Sequence, residues 1–108
     1  MKAQRLADYA PVFAALGDAT RLRLVGRLCD KGPQSIARLA AGEEITRQAV
    51  TKHLQALEDA GLVASSRAGR ERMWEIRAAR LAHAQRALAE ISAQWDGAIS
   101  RLRTFVER

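Results

Sequence analysis

The sequence predicts a mostly helical α+β fold: four helices, a two-stranded hairpin and a long last helix. Three observations predict it. The 108 residues include 22 alanines and two prolines, a composition that favours helices. Apolar residues recur three and four apart along most of the chain. Between Leu62 and Ile76 the period changes to two. With 48% apolar residues the chain can bury a core, and its length fits one domain spanning 1–108.

Leu6, Tyr9, Val12, Phe13 and Leu16 mark a first helix over about 6–16, stopped by Gly17. Pro11 fits its first turn, with Asp8 as the expected N-cap. Asp18 reads as the N-cap of a second helix through Leu22, Val25 and Leu28 to about Asp30. Lys31-Gly32-Pro33 breaks it. Its Arg21, Arg23 and Arg27 cannot all lie on the buried stripe. Ile36, Leu39 and Ala40 predict a short third helix ending near Gly42. After the turn Ala41–Ile45, Thr46 caps a fourth helix to about Ala60, with Val50, Leu54 and Leu57 inward and Gly61 as its stop. Two helices joined by a short glycine-containing turn, about 35–60, outline a helix-turn-helix.

The runs 62–67 and 71–76 read as strands around Ala68-Gly69-Arg70, with Arg72, Trp74 and Ile76 on one face. The hairpin, about 62–77, has a basic tip of Arg67, Arg70 and Arg72 around Glu71. A hairpin directly after a helix-turn-helix is a wing. From 78 to about 107 only Gly97 interrupts a helix of roughly 45 Å. Gly97 permits either a bend or a close helix approach. Leu81, Ala84, Leu88, Ile91, Trp95, Ala98, Leu102 and Phe105 follow at alternating steps of three and four, a heptad seam. A helix this long outreaches the domain's core, so part of its stripe needs another surface. A second copy of the chain is the simplest supplier.

The charge pattern names the other partner. Eighteen Lys and Arg against twelve Asp and Glu give a net charge of +6, with an isoelectric point near 10.7. Fifteen of the eighteen are arginine, whose planar fork suits phosphates and guanine edges. Aromatics at 5% argue against an aromatic platform for RNA or sugars. With Val50 and Leu54 inward, Arg47, Gln48, Thr51, Lys52 and Gln55 lie on or near the outer face of the fourth helix. These residue types read base edges and hold phosphates. No acidic residue falls between Thr46 and Ala56. His53 has two readings: contact with a phosphate or base, or partial burial against a local backbone group.

At these residues a family resemblance emerges. Phe13-Ala14-Ala15-Leu16-Gly17-Asp18-Ala19-Thr20-Arg21-Leu22-Arg23-Leu24 resembles the opening of the bacterial ArsR/SmtB-type winged helix-turn-helix repressors. Thr46–Leu57 followed by Glu58-Asp59-Ala60-Gly61-Leu62-Val63 is similar to their recognition helix and its exit into the wing. The resemblance covers roughly 10–77 and rests on two motifs in the right order. It implies a homodimer built from the first and last helices that binds an inverted-repeat operator and represses transcription. The expected interface residues are Leu6, Tyr9, Phe13, Leu81, Leu88, Ile91, Trp95, Leu102 and Phe105. The expected DNA-binding set is Thr46, Arg47, Gln48, Thr51, Lys52, His53, Gln55, Arg67, Arg70 and Arg72.

Many members of that family sense metals, but their ligand motifs are missing here. The cysteine pair of such sensors would fall near Ser35 and Ala37, neither a ligand for a soft metal. Cys29 reads as a small buried thiol and His83 as a surface or interface side chain. No metal and no cofactor is expected. A non-standard zinc site from His83, Glu90 and their symmetry mates is the metal-sensing alternative. Trp74 and Trp95 read as core or dimer packing rather than the lining of an effector pocket.

Other function classes find no support. One cysteine allows no internal disulfide, and no Cys/His cluster has zinc spacing. No run of 18 apolar residues and no signal-peptide pattern occurs, so a cytoplasmic setting without a membrane partner is expected. The seven glycines are scattered singly, and the two histidines lack a nucleophilic partner, which argues against an enzyme. The sequence thus predicts a DNA-binding regulator, with double-stranded operator DNA and a second copy as partners and any small-molecule effector unidentified. A protein-interaction or architectural winged helix is the remaining alternative.

Overall fold

The computed structural model describes residues 7–107, so the expectation for Leu6 lies outside them. Helix α1 spans Ala10–Leu16. It starts later than predicted, with Tyr9 rather than Asp8 at the N-cap position and no side-chain cap bond. Pro11 becomes the second helical residue, where its missing N–H leaves no intrahelical bond unmade. Helix α2, Ala19–Lys31, begins as expected: Asp18 Oδ2 accepts a hydrogen bond from the Arg21 N–H at 3.0 Å. Gly32, at φ +76°, ends it by donating its N–H to the Leu28 carbonyl.

A two-residue strand, β1, Gln34–Ser35, then precedes helix α3, Ile36–Ala41. Ser35 Oγ accepts from the Arg38 N–H at 3.2 Å and caps α3. Helix α4 covers Arg47–Asp59. Strands β2, Val63–Ala68, and β3, Glu71–Ile76, form the hairpin, which turns at Gly69 (φ +66°). The sheet order is β1-β3-β2, with Gln34 opposite Trp74 and Ser65 opposite Trp74 on the other side. The two-stranded wing is therefore extended by a third strand. Two residues carry no periodicity of their own, and only the edge of β3 makes them a strand.

The core gathers where α2, α3, α4 and the sheet meet. Val12, Leu24, Leu39, Val50, Leu54, Leu57 and Leu62 are fully buried, and Val63 and Trp74 are 1% exposed. Phe13, expected at an interface between copies, packs partly on this core, as does Leu81. The α2 stripe of Leu24, Val25 and Leu28 leaves Cys29 on the rim, where it is exposed rather than buried.

Helix α5, Ala78–Val106, runs unbroken through Gly97. Its seam divides. Leu81, Ala84 and Ala87 sit on the core, whereas Trp95 is 67% and Phe105 71% exposed, with Leu88, Ile91, Ile99 and Leu102 also open. Trp95 therefore belongs to no core of this protomer. The projecting helix stretches the molecule to 67 × 26 × 20 Å. No helix among the described residues is long and apolar enough to cross a membrane.

Candidate nucleic-acid interface

The outer face of α4 follows from its inner one. Val50, Leu54 and Leu57, spaced four and three apart, are fully buried and orient the helix. Arg47, Gln48, Thr51, Lys52 and Gln55 consequently line one open surface depression. Thr46 Oγ1 accepts from the Ala49 N–H at 3.1 Å and fixes where the helix starts. The Thr51 hydroxyl donates back to the Arg47 carbonyl at 3.0 Å. Among the described residues Arg47 and Lys52 enter no ion pair, so both charges are free for an external anion. The acids of α4, Glu58 and Asp59, lie at its far end.

His53 does not join this row. It is half-buried, with Nδ1 3.8 Å from Asp18 Oδ2. The partner is the cap of α2, a side-chain neighbour rather than the local backbone group that partial burial suggested. The Arg21 N–H bond holds the Asp18 carboxyl below its ordinary value; partial desolvation opposes it, and the charges of His53 and Arg21 add to it.

The three wing arginines separate into two kinds. All three are exposed and none forms an ion pair among the described residues, but only Arg67 and Arg70 lack a side-chain contact. Arg72, directly opposite Arg67 in the ladder, folds back over the Trp74 ring at 5.6 Å. Its Nη2 donates to Ser65 Oγ at 3.1 Å. Like charges facing each other across strands repel, and the fold-back draws Arg72 away from Arg67. Ser65 in turn donates its N–H and its hydroxyl to Glu58 Oε2, at 3.1 and 3.0 Å. The wing is thereby tied to the end of α4. This chain of contacts was not visible in the sequence, where Ser65 reads only as a strand residue.

A helix with a free basic and amide-bearing face, preceded by a short helix and followed by a tethered basic hairpin, defines a winged helix-turn-helix. A family profile described as a helix-turn-helix domain matches residues 16–66. The chain is 41% identical over 68 residues to the HTH-type transcriptional regulator YuzN of Bacillus subtilis (strain 168), covering 57% of this chain and 74% of that protein. It spans between 59% and 74% of the curated relatives it matches. An ArsR-like transcriptional regulator from Rhodococcus sp. RHA1 has the same fold, with a TM-score of 0.76, 38% identity and 92% of both chains covered. The homodimeric winged helix-turn-helix DNA-binding domain Mb0332 from Mycobacterium bovis aligns at a TM-score of 0.66 and 28% identity, covering 86% of this chain and 84% of that one. The chain belongs to the ArsR-type winged helix-turn-helix transcriptional regulators. It is a DNA-binding regulator, not an enzyme.

Proposed function

We propose that two copies of this chain form a homodimer that represses transcription by occupying an inverted-repeat operator in the cytoplasm, without answering to a metal. The observation that carries this reading is the acid-free face of α4, with Arg47 and Lys52 unpaired beside Gln48, Thr51 and Gln55. Arginine and glutamine present the forked donors and acceptors that distinguish guanine and adenine in the major groove. Thr46 stands at the helix N-terminus, where a phosphate oxygen is favoured. Arg70 and Arg67 on the wing suit the adjacent backbone or minor groove. Arg72, exposed although folded over Trp74, and His53, beside Asp18, complete the proposed DNA-facing set.

The second copy is supported by α5. An apolar stripe from Leu88 to Phe105 stands in water in a single protomer and needs a matching surface. Its heptad spacing suits the same helix of a partner, with Tyr9 at the start of α1 among the residues expected at that contact. Such a dimer reaches two half-sites when its α4 helices lie about 34–36 Å apart. Metal independence is supported by the chemistry at the sensor positions: Ser35 spends its hydroxyl capping α3, and Ala37 has no donor. Among the described residues no three His, Cys, Asp or Glu side chains come together as a ligand set.

Titration against a duplex selected by the protein from a random pool, and against its scrambled counterpart, tests the reading. Preference for the selected duplex at two salt concentrations is the expected result. Equal affinity for both would point to an architectural protein, and no binding to a protein-docking domain. Release of the selected duplex by zinc or cadmium would overturn the metal-independent reading.

A further inference from the structure

Outside the reading face, the most unusual group in the molecule is Glu43. It stands in the turn Gly42–Ile45 between α3 and α4, yet its side chain is 4% exposed. Two guanidinium groups from α2 hold it. Arg23 Nε and Nη2 both donate to Glu43 Oε1, at 3.2 and 3.0 Å, and Arg27 Nη1 lies 3.7 Å from Oε2. Arg27 also donates from Nη1 to the Leu39 carbonyl and from Nη2 to the Arg38 carbonyl, each at 2.7 Å. Those carbonyls belong to the last turn of α3, where few backbone N–H groups remain: the Leu39 carbonyl also meets the Gly42 N–H, at 3.4 Å. The Glu43 N–H closes on the Ala40 carbonyl at 3.1 Å.

The need for such a device follows from the size of α3. The helix has only six residues, of which Leu39 is buried and Ile36 and Ala40 pack partly on the core, too short a stretch to hold its own angle without further ties. Gly42 shows how tightly the clamp closes. A Cβ there would lie 2.6 to 2.8 Å from the Arg27 guanidinium and would push that flexible group out of its place. Two exposed residues, Glu44 and Ile45, separate the clamped carboxylate from Thr46, the cap of α4.

We propose that Arg27 and Glu43 are positioning residues for DNA recognition: a clamp from α2 that sets the α3–α4 turn, and through it the angle at which Arg47 and Gln48 meet the bases. Arg23 supports the clamp from the solvent side, where it also reaches Thr20 Oγ1 at 3.1 Å. Neither Arg27 nor Glu43 touches DNA in this arrangement. The inference rests on the operator-reading role of α4 proposed above.

The test compares wild type with Glu43→Gln, which keeps the side chain's shape and removes its charge, using the selected duplex and its scrambled counterpart. Charge-assisted bonds of this kind are strong enough that selected-duplex affinity should fall about tenfold, and scrambled-duplex affinity less than about twofold. Hydrogen exchange at the Ala49 and Val50 amides, the first bonded amides of α4, should quicken in the free protein. A parallel loss on both duplexes that tracks a lower melting midpoint would reduce Glu43 to a stability role and overturn the proposal. Unchanged exchange at Ala49 and Val50 would also overturn it. If wild type itself does not choose between duplexes, the operator reading has failed and exchange decides the clamp by itself. A second pair of variants removes dependence on Glu43. Gly42→Ala should reduce selectivity and speed exchange in wild type but add nothing in an Arg27→Ala background. Equal added effects in both backgrounds would rule the clamp out.

Discussion

Ser65 places both its backbone N–H and its hydroxyl on one oxygen of Glu58, at 3.1 and 3.0 Å, and so fastens the wing to the end of α4. The same hydroxyl accepts from Arg72, whose guanidinium lies over Trp74. The indole N–H of Trp74 is itself buried without a partner among the described residues. The hairpin, whose Val63 and Trp74 share a core with Leu54 and Leu57, is thus also tied to α4 by charge-assisted bonds through Ser65. Ser65→Ala removes the hydroxyl's bonds to Glu58 and from Arg72 but keeps the backbone N–H bond to Glu58. Its expected destabilisation is about 1–2 kcal/mol, read from urea unfolding at neutral pH. A change within error of zero would mean that the Ser65 hydroxyl contributes nothing to holding the wing.

The reading face and the wing should respond differently to truncation. Gln48→Ala is expected to weaken the selected duplex by about 1–3 kcal/mol and to relax preference at one base position. Arg70→Ala, at the exposed tip, should weaken selected and scrambled duplexes alike and lower the salt slope by about one. Competition binding across a salt series separates the two. Loss of base preference in the Arg70 variant with none in the Gln48 variant would reverse the assignment.

Asp18 links folding to pH. Its carboxyl is held below the ordinary value first by the Arg21 N–H and further by the charges of His53 and Arg21. A carboxylate with a depressed folded value stabilises the fold above its unfolded value, here near 3.8, and loses that contribution as pH falls through the folded value. Asp18→Asn keeps an N-cap acceptor but removes the charge. The wild type should therefore be the more stable of the two above pH 4, with the gap closing on acidification below it. Urea midpoints over that range check the sign, and a gap that widened in acid would contradict it.

The outer half of α5 can be altered without touching the core. Trp95 and Phe105 are 67% and 71% exposed, so charges there cost the protomer little. Trp95→Glu with Phe105→Glu should shift sedimentation from dimer to monomer while far-ultraviolet circular dichroism holds its helical shape at a matched concentration. Unchanged sedimentation would move the dimer contact elsewhere.

Local features of this protein were legible residue by residue. Asp18 and Thr46 cap the helices that their neighbours in sequence announce, because a cap reaches a donor three residues away. The inner row Val50, Leu54 and Leu57 and the outer row Arg47, Gln48, Thr51, Lys52 and Gln55 follow from helical period alone. The seam on α5 was equally plain, though not its division between core and solvent, since periodicity says which side is apolar and not what covers it. Contacts between distant residues stayed hidden. Nothing near His53 points to Asp18, nothing near Glu43 points to Arg27, and the two residues of β1 have no pattern until β3 lies beside them. Arg72 looked like Arg67 and Arg70 until pairing set it above Trp74. The physical reason is range: caps and stripes are made by neighbours along one helix, whereas a charged side chain chooses among partners that only the packing of α2, α4 and the sheet brings within reach.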